Sequence, residues 1–177
     1  MVGQLAVRHP ATLPRPNGLP YCRPMSPNIA TNETVDLPAL LDFVRTRHHA
    51  ILLTFRADGT PQASPVTCGV DDDGRIVVST YPQRAKTKNA RRDPRASVVV
   101  LSDEFSDAWV QIDGTAEVLD LPDSVEPLVG YYRAIAGEHP DWDEYRAAMV
   151  RQGKSIVRIT PNRWGPVATG GFPPEPV

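Results

Sequence analysis

The chain has 177 residues, 41% of them hydrophobic, and a formal charge of -2. That length suits one domain with a sizeable core; the near-neutral charge excludes a general nucleic-acid binder, and no apolar run is long enough to span a bilayer. Cys22 and Cys68 make no disulfide framework and no continuous apolar stretch marks a secretory leader, so the expected compartment is the cytoplasm.

Pro10, Pro14, Pro16, Pro20, Pro24 and Pro27 block regular hydrogen bonding at the start of the chain. Residues 1–35 are therefore expected to form a flexible extension. Met25-Ser26-Pro27 reads as a second start, which makes 1–24 an upstream extension. Folding signals begin at Asp36, an N-cap with Pro38 behind it and Leu37, Leu40, Leu41 and Val44 as a helical stripe. His48 and His49 end that stripe, and neighbours on a helix share no face, so no metal site is read there.

A strand over 50–56 leads to the turn Ala57-Asp58-Gly59-Thr60 and a second strand over 61–70. In that strand Gln62, Ser64, Val66, Cys68 and Val70 alternate with Ala63, Pro65, Thr67 and Gly69. Cys68 reads as a buried strand residue rather than a nucleophile. Asp71-Asp72-Asp73-Gly74 is a hairpin turn, since no bidentate Glu follows at calcium-loop spacing. A third strand spans 75–80.

The stretch 79–94 follows, and it carries the chemistry. The strand stops at Ser79 and Thr80, Pro82 intervenes, and a short helix ends before Asp93-Pro94. The first N–H groups of a helix lack internal partners and the dipole there favours anions. Arg84 and Lys86 sit in the first turn, where positive charge is unfavourable unless an anion binds; Lys88, Arg91 and Arg92 extend it. The two readings are a phosphate clamp and a solvated basic helix.

Strands over 96–102 and 108–119 come next, the latter with Gly114 at an expected bulge. Helices over 122–135 and 141–150 and a strand over 154–160 follow. From Pro161 the chain reads as a Gly/Pro-rich tail bearing Trp164 and Phe172. Six short strands joined by turn signals predict a mainly β fold, an antiparallel barrel with peripheral helices. There is no Gly-x-Gly-x-x-Gly, Walker lysine or Gly-x-Ser-x-Gly motif, and no catalytic residue is assigned.

The order of elements, with Ala50-Ile51-Leu52-Leu53-Thr54, Asp58-Gly59-Thr60-Pro61, Arg84-Ala85-Lys86-Thr87-Lys88-Asn89 and Arg91-Arg92-Asp93-Pro94-Arg95-Ala96, resembles the split β-barrel relatives of pyridoxamine 5′-phosphate oxidase. Tyr131-Tyr132-Arg133 and Ala136-Gly137-Glu138-His139-Pro140-Asp141-Trp142 are similar to its actinobacterial coenzyme F420-dependent reductase branch. The likeness covers about 36–165, leaving 166–177 as a C-terminal tail. It implies a six-stranded antiparallel split β-barrel, homodimeric, with the cofactor at the subunit interface.

By position, the resemblance assigns Arg84 and Lys86 to the cofactor phosphate, with Thr87 and Asn89 supporting the pocket. Ser79 and Thr80 line the approach, Ser64, Pro65, Val66 and Thr67 pass along the ring, and Trp109 and Gln111 reach in from the partner. Pro65 departs from the pattern by removing a backbone donor. The cofactor implied is coenzyme F420, with FMN the alternative, and the activity is hydride transfer with a small conjugated substrate. A non-catalytic cofactor-binding role is the third possibility. The surplus charge at Lys88, Arg91 and Arg92 suits the polyglutamyl tail of F420. Pyridoxamine phosphate oxidation is disfavoured, because Asn162-Arg163-Trp164 stands where an Arg-x-His element is expected.

Overall fold

The computed structural model describes residues 29–104 and 106–172. After a two-residue strand β1 (Asn32–Glu33), helix α1 (Leu37–Arg45) starts as its cap predicts. The Asp36 carboxylate accepts from the Ala39 N–H at 3.0 Å, and Leu40, Leu41 and Val44 are buried. The sheet strands are β2 (His49–Phe55), β3 (Pro61–Thr67), β4 (Gly69–Val70), β5 (Ile76–Thr80), β6 (Arg95–Leu101), β7 (Trp109–Leu119), β8 (Ser155–Trp164) and β9 (Val167–Ala168). Helix α2 (Ala85–Arg92) joins β5 to β6, and α3 (Val125–Ala136) and α4 (Trp142–Gln152) join β7 to β8. The six longer strands are the six expected from the sequence; β1, β4 and β9 are two-residue additions.

The strands follow the order β3-β2-β6-β7-β8-β5-β4, with antiparallel pairing throughout. The two ends of this path, β3 and β4, are consecutive in sequence and separated only by Cys68. One chain segment thus borders both ends of the curled sheet, which is the split-barrel arrangement. Cys68 leaves the ladder: its N–H donates to the His48 carbonyl at 2.9 Å and its side chain is fully buried. The single strand expected over 61–70 is therefore two. Gly69 opens β4, paired with Val77, and lets α3 pack closely on it, since a Cβ there would lie 3.2 Å from the side chains of Ala134 and Ile135.

The largest difference from the sequence reading lies at the ends. Strand β8 continues through Pro161 to Trp164 instead of stopping at Thr160. The register shifts between Asp113 and Gly114, so that Gly114 faces Pro161 and the proline sits next to the expected bulge, a place where a strand tolerates it. Strand β9 then pairs with β1 and β7, Ile29 bridges to Phe172, and the Trp164 indole donates to the Val35 carbonyl at 2.8 Å. Residues 29–35 and 166–172, expected as flanks, join the sheet. Residues 1–28 and 173–177, with Cys22 and the second start at Met25, lie outside the described residues.

Two buried clusters stabilise the fold. The barrel interior is built from α1, Leu52, Ile76, Val78, Val98, Val100, Ile112 and Ile159; Val77, Leu128, Val129, Tyr145, Met149 and Ile156 pack the helical pair onto the far face of β5 and β8. Among the described residues no helix is long and apolar enough to cross a membrane.

Two outcomes follow from this geometry. A Cβ on Gly114 would fall 2.3 Å from the Thr160 carbonyl oxygen, so Gly114→Ala must move one strand of the β7–β8 pair. Urea denaturation is expected to show a loss of about 1–3 kcal/mol, the range for overpacking. Burial pushes the Cys68 thiol up to about 12. In a Cys22→Ser background, a thiol reagent at mildly alkaline pH should label Cys68 only after denaturant is added; rapid labelling of the native protein refutes the burial argument.

Candidate functional site

Helix α2 has almost nothing apolar to bury. Its buried residues are Thr87, Asn89 and Ala90. Hydrogen bonds hold it instead. The Thr87 hydroxyl donates to the Tyr81 carbonyl at 2.8 Å and so accepts from the Thr80 hydroxyl at 3.0 Å. Asn89 donates to the Thr54 hydroxyl at 3.2 Å, and Thr54 donates to Gln62 at 3.3 Å. Gln62 in turn donates to Ser64 at 2.8 Å. This chain of contacts runs from α2 through β2 to β3. No buried side-chain nitrogen or oxygen among the described residues lacks a hydrogen-bond partner.

So anchored, α2 presents an N-terminus with no capping side chain and no acid in its first turn. Basic side chains cluster there without counter-charges. Elsewhere in the described chain, Arg45, Arg75, Arg91, Arg95, Arg133, Arg146, Arg151, Arg158 and Arg163 each pair with a carboxylate. Arg47, Arg56 and Arg92 donate to neutral oxygens. Arg84, Lys86, Lys88 and Lys154 do neither among the described residues. The Arg84 guanidinium lies 6.0 Å from the Tyr81 ring centroid, and the Lys154 ammonium 4.1 Å from the same centroid. Burial, and then the nearby Arg84 charge, hold Lys86 below the usual lysine range. A bound anion would relieve both effects.

Lys86 and Lys154 line one cleft of about 430 Å³, with Pro65, Val66, Thr67, Ser79, Tyr131, Tyr145, Met149 and Gln152 as its other walls. Its helical wall is held by aromatic packing. Tyr132, His139, Trp142 and Tyr145 pack together with ring centroids 5.0–5.9 Å apart. Glu138 ties this group down by accepting from Arg133 and from the Trp142 indole. The Tyr131 hydroxyl donates to the Thr67 carbonyl at 3.2 Å, and burial pushes it up to about 12, so it remains a donor.

Of the residues singled out in the sequence, Pro65, Val66, Thr67, Ser79 and Lys86 are brought together around this cleft, with Arg84 beside Lys86. Thr80, Thr87 and Asn89 are buried beneath it as anchors. Ser64 bonds to Gln62 and does not line the cleft. Trp109 and Gln111 line a separate hollow of about 300 Å³ with Asp113, Arg163 and Trp164. The register rows Pro65–Ile51–Val99–Gln111 and Thr67–His49–Leu101–Trp109 put them on the same sheet face as Pro65 and Thr67, three strands away. That separation is about 14 Å.

Two of the surplus cations are engaged elsewhere. Arg91 grips Asp120 through two contacts of 2.6 Å, and Arg92 donates to the Phe55 carbonyl and to Asn89. Sequence reasoning missed Tyr131, Tyr145, Met149, Gln152 and Lys154. Tyr145 and Met149 read as apolar positions of a helix, and Tyr131 entered only within the segment that resembles the reductase branch; all three are largely buried and meet the cleft with little of their surface. No group of three His, Cys, Asp or Glu among the described residues could hold a metal ion.

The family model for pyridoxamine 5′-phosphate oxidase matches residues 37–168, more than half of the chain. Protein Rv2991 from Mycobacterium tuberculosis is similar in structure, with 24% identity and a TM-score of 0.64, over 79% of this chain and 89% of that one. An F420 reductase is 18% identical with a TM-score of 0.53, over 70% of this chain and 94% of that one. The heme storage protein HutZ from Vibrio cholerae is 18% identical with a TM-score of 0.54, over 73% of this chain and 93% of that one. At these identities the structures share a fold, while the sequence match extends from α1 to β9 and takes in every wall of the cleft: the chain belongs to the pyridoxamine 5′-phosphate oxidase family.

Proposed function

We propose that this protein is an F420-dependent oxidoreductase whose cofactor lies in the cleft between β3, α2 and α4. The observation that carries the reading is the set of cations without counter-charges at the start of α2. Two like charges, Arg84 and Lys86, stand together beside open helix N–H groups, an arrangement that favours a bound phosphate. The residues fit the group in the other respects. A volume of about 430 Å³ is in the range of cofactor clefts. Val66, Pro65 and Met149 offer apolar walls to a planar ring, and Ser79 and Thr67 offer polar contacts at its rim.

When bound, the deazaflavin supplies hydride chemistry. The chain's own contribution is to bind and orient. Arg84 and Lys86 would hold the phosphate, the first as a planar fork and the second as a point charge. Thr80, Thr87 and Asn89 fix the helix that bears them, and β3 aligns the ring. No side chain is assigned to proton transfer, and the acceptor is a small conjugated molecule.

A dimer completes this reading. The outer face of β2 and β6 presents half-buried Ile51, Leu53, Val99 and Leu101, and Trp109 beside them is 39% exposed. A second copy packed on that face would cover these residues and bring its Trp109 and Gln111 toward the cleft. The compartment in this reading is the cytoplasm, which suits the free, buried thiol of Cys68. FMN is the second reading, because Arg84 and Lys86 are sufficient for a single phosphate and Arg91 and Arg92 are not free for a polyanionic tail.

Calorimetric titration with coenzyme F420 and with FMN tests this. Lys86→Ala is expected to weaken binding by about ten- to a hundredfold, and Arg84→Ala at least as much, with melting temperatures unchanged. Equal, small losses mean a diffuse basic surface. The pH dependence has a defined sign. Lys86 is depressed in the free protein and restored by the bound anion, so the complex holds the proton more tightly. Affinity should be flat around neutrality and fall as pH rises through the depressed Lys86 range. Lys86→Met should abolish that fall.

A further inference from the structure

Lys154 is the cation whose placement the phosphate reading does not explain. It lies outside α2, at the junction of α4 and β8, and its backbone is held from both sides. Its N–H donates to the Met149 carbonyl at 3.1 Å across the left-handed Gly153 turn that ends α4. Its carbonyl accepts from the Ser124 hydroxyl, itself fully buried, at 2.8 Å. Thr80 pairs with Ser155 in the β5–β8 ladder, so the next position of that register sets Tyr81 opposite Lys154. The ammonium rests 4.1 Å from the Tyr81 ring centroid and pairs with no acid among the described residues. Lys86 reaches the same cleft from α2, beside Arg84.

We propose that Lys154 is a second anion-binding position of the cleft, separate from the Arg84–Lys86 pair, with Tyr81 as its rest when no ligand is present. The ligand class is then a molecule with negative charge at two places, one for the pair on α2 and one for Lys154 at the start of β8. This rests on the cofactor reading above and deepens it. Arg91 and Arg92, the residues whose charge in the sequence suited a polyanionic tail, are held by Asp120 and by the Phe55 carbonyl. Lys154, which reaches Tyr81 from the start of β8 and not from α2, takes over that part. It discriminates between coenzyme F420, which carries carboxylates beyond its phosphate, and FMN, which does not.

The test compares Lys154→Met, Lys154→Arg and Arg151→Ala in full-length protein, titrated with each cofactor. Lys154→Met keeps the aliphatic stem and removes the charge. It should weaken F420 binding by about tenfold and FMN binding by less than about twofold. Lys154→Arg should restore most of the F420 affinity. Arg151→Ala, which removes an equal charge from the end of α4 where Arg151 pairs with Glu144, should change neither. Unchanged F420 affinity in Lys154→Met, or equal losses for both cofactors, overturns the proposal. If Lys86→Ala still weakens both cofactors in that case, only the second position fails. Should neither cofactor bind the unaltered protein, the cofactor reading and this proposal fall together.

Discussion

A buried hydrogen-bond relay holds the one helix that carries the unpaired charge. Helix α2 contributes little apolar area, and a short helix with so many basic residues has no reason to dock by the hydrophobic effect alone. Thr87 binds it to the end of β5, and Asn89 binds it to Thr54 on β2. Each of these contacts is modest, but removing one partner strands buried polar groups at a cost of about 1–3 kcal/mol. The same relay continues through Gln62 to Ser64 on β3, so the helix that offers cations and the strand that offers the ring wall share one set of contacts.

That constraint explains how positive charge can be concentrated without collapse. Most arginines of the described chain are paired with a carboxylate: Arg95 with Asp93 nearby in sequence, Arg146 with Glu126 and Arg158 with Glu117 across the fold. Such surface pairs contribute little to stability, but they remove stray positive charge from the surface. What remains is Arg84, Lys86 and Lys88 on the first turns of α2 and Lys154 at the start of β8, with Arg84 and Lys154 both beside the Tyr81 ring. Without a ligand this costs free energy through burial and mutual repulsion, and the cost shows in the depressed Lys86. Sites of this kind spend folding stability on affinity.

Much of the fold was legible because its signals are local. The Asp36 cap, the Asp-Gly turns at 58–59 and 73–74, the alternation along β3 and the bulge at Gly114 each depend on a few neighbouring residues. The ends were not legible. Gly- and Pro-containing sequence around 161–172 reads as a tail, yet a proline is tolerated beside a bulge, and the chain goes on to pair with β1. Nothing in residues 29–35 announces that pairing, which is a contact between the two ends of the described chain.

The sequence by itself determined the kind of site: basic residues of the right type at a helix start, after a strand, in a barrel of antiparallel strands. Helix and turn chemistry acts over a few residues, so those properties need no knowledge of distant partners. Which cations are available was decided only by the tertiary structure. Arg91 and Arg92 look as free as Arg84 in the sequence, but Asp120 lies far along the chain and the Phe55 carbonyl belongs to another strand. Lys154 looks like an ordinary strand residue until the β5–β8 register brings it to Tyr81. Charge pairing is a long-range property, set by which surfaces the fold brings within a few ångströms.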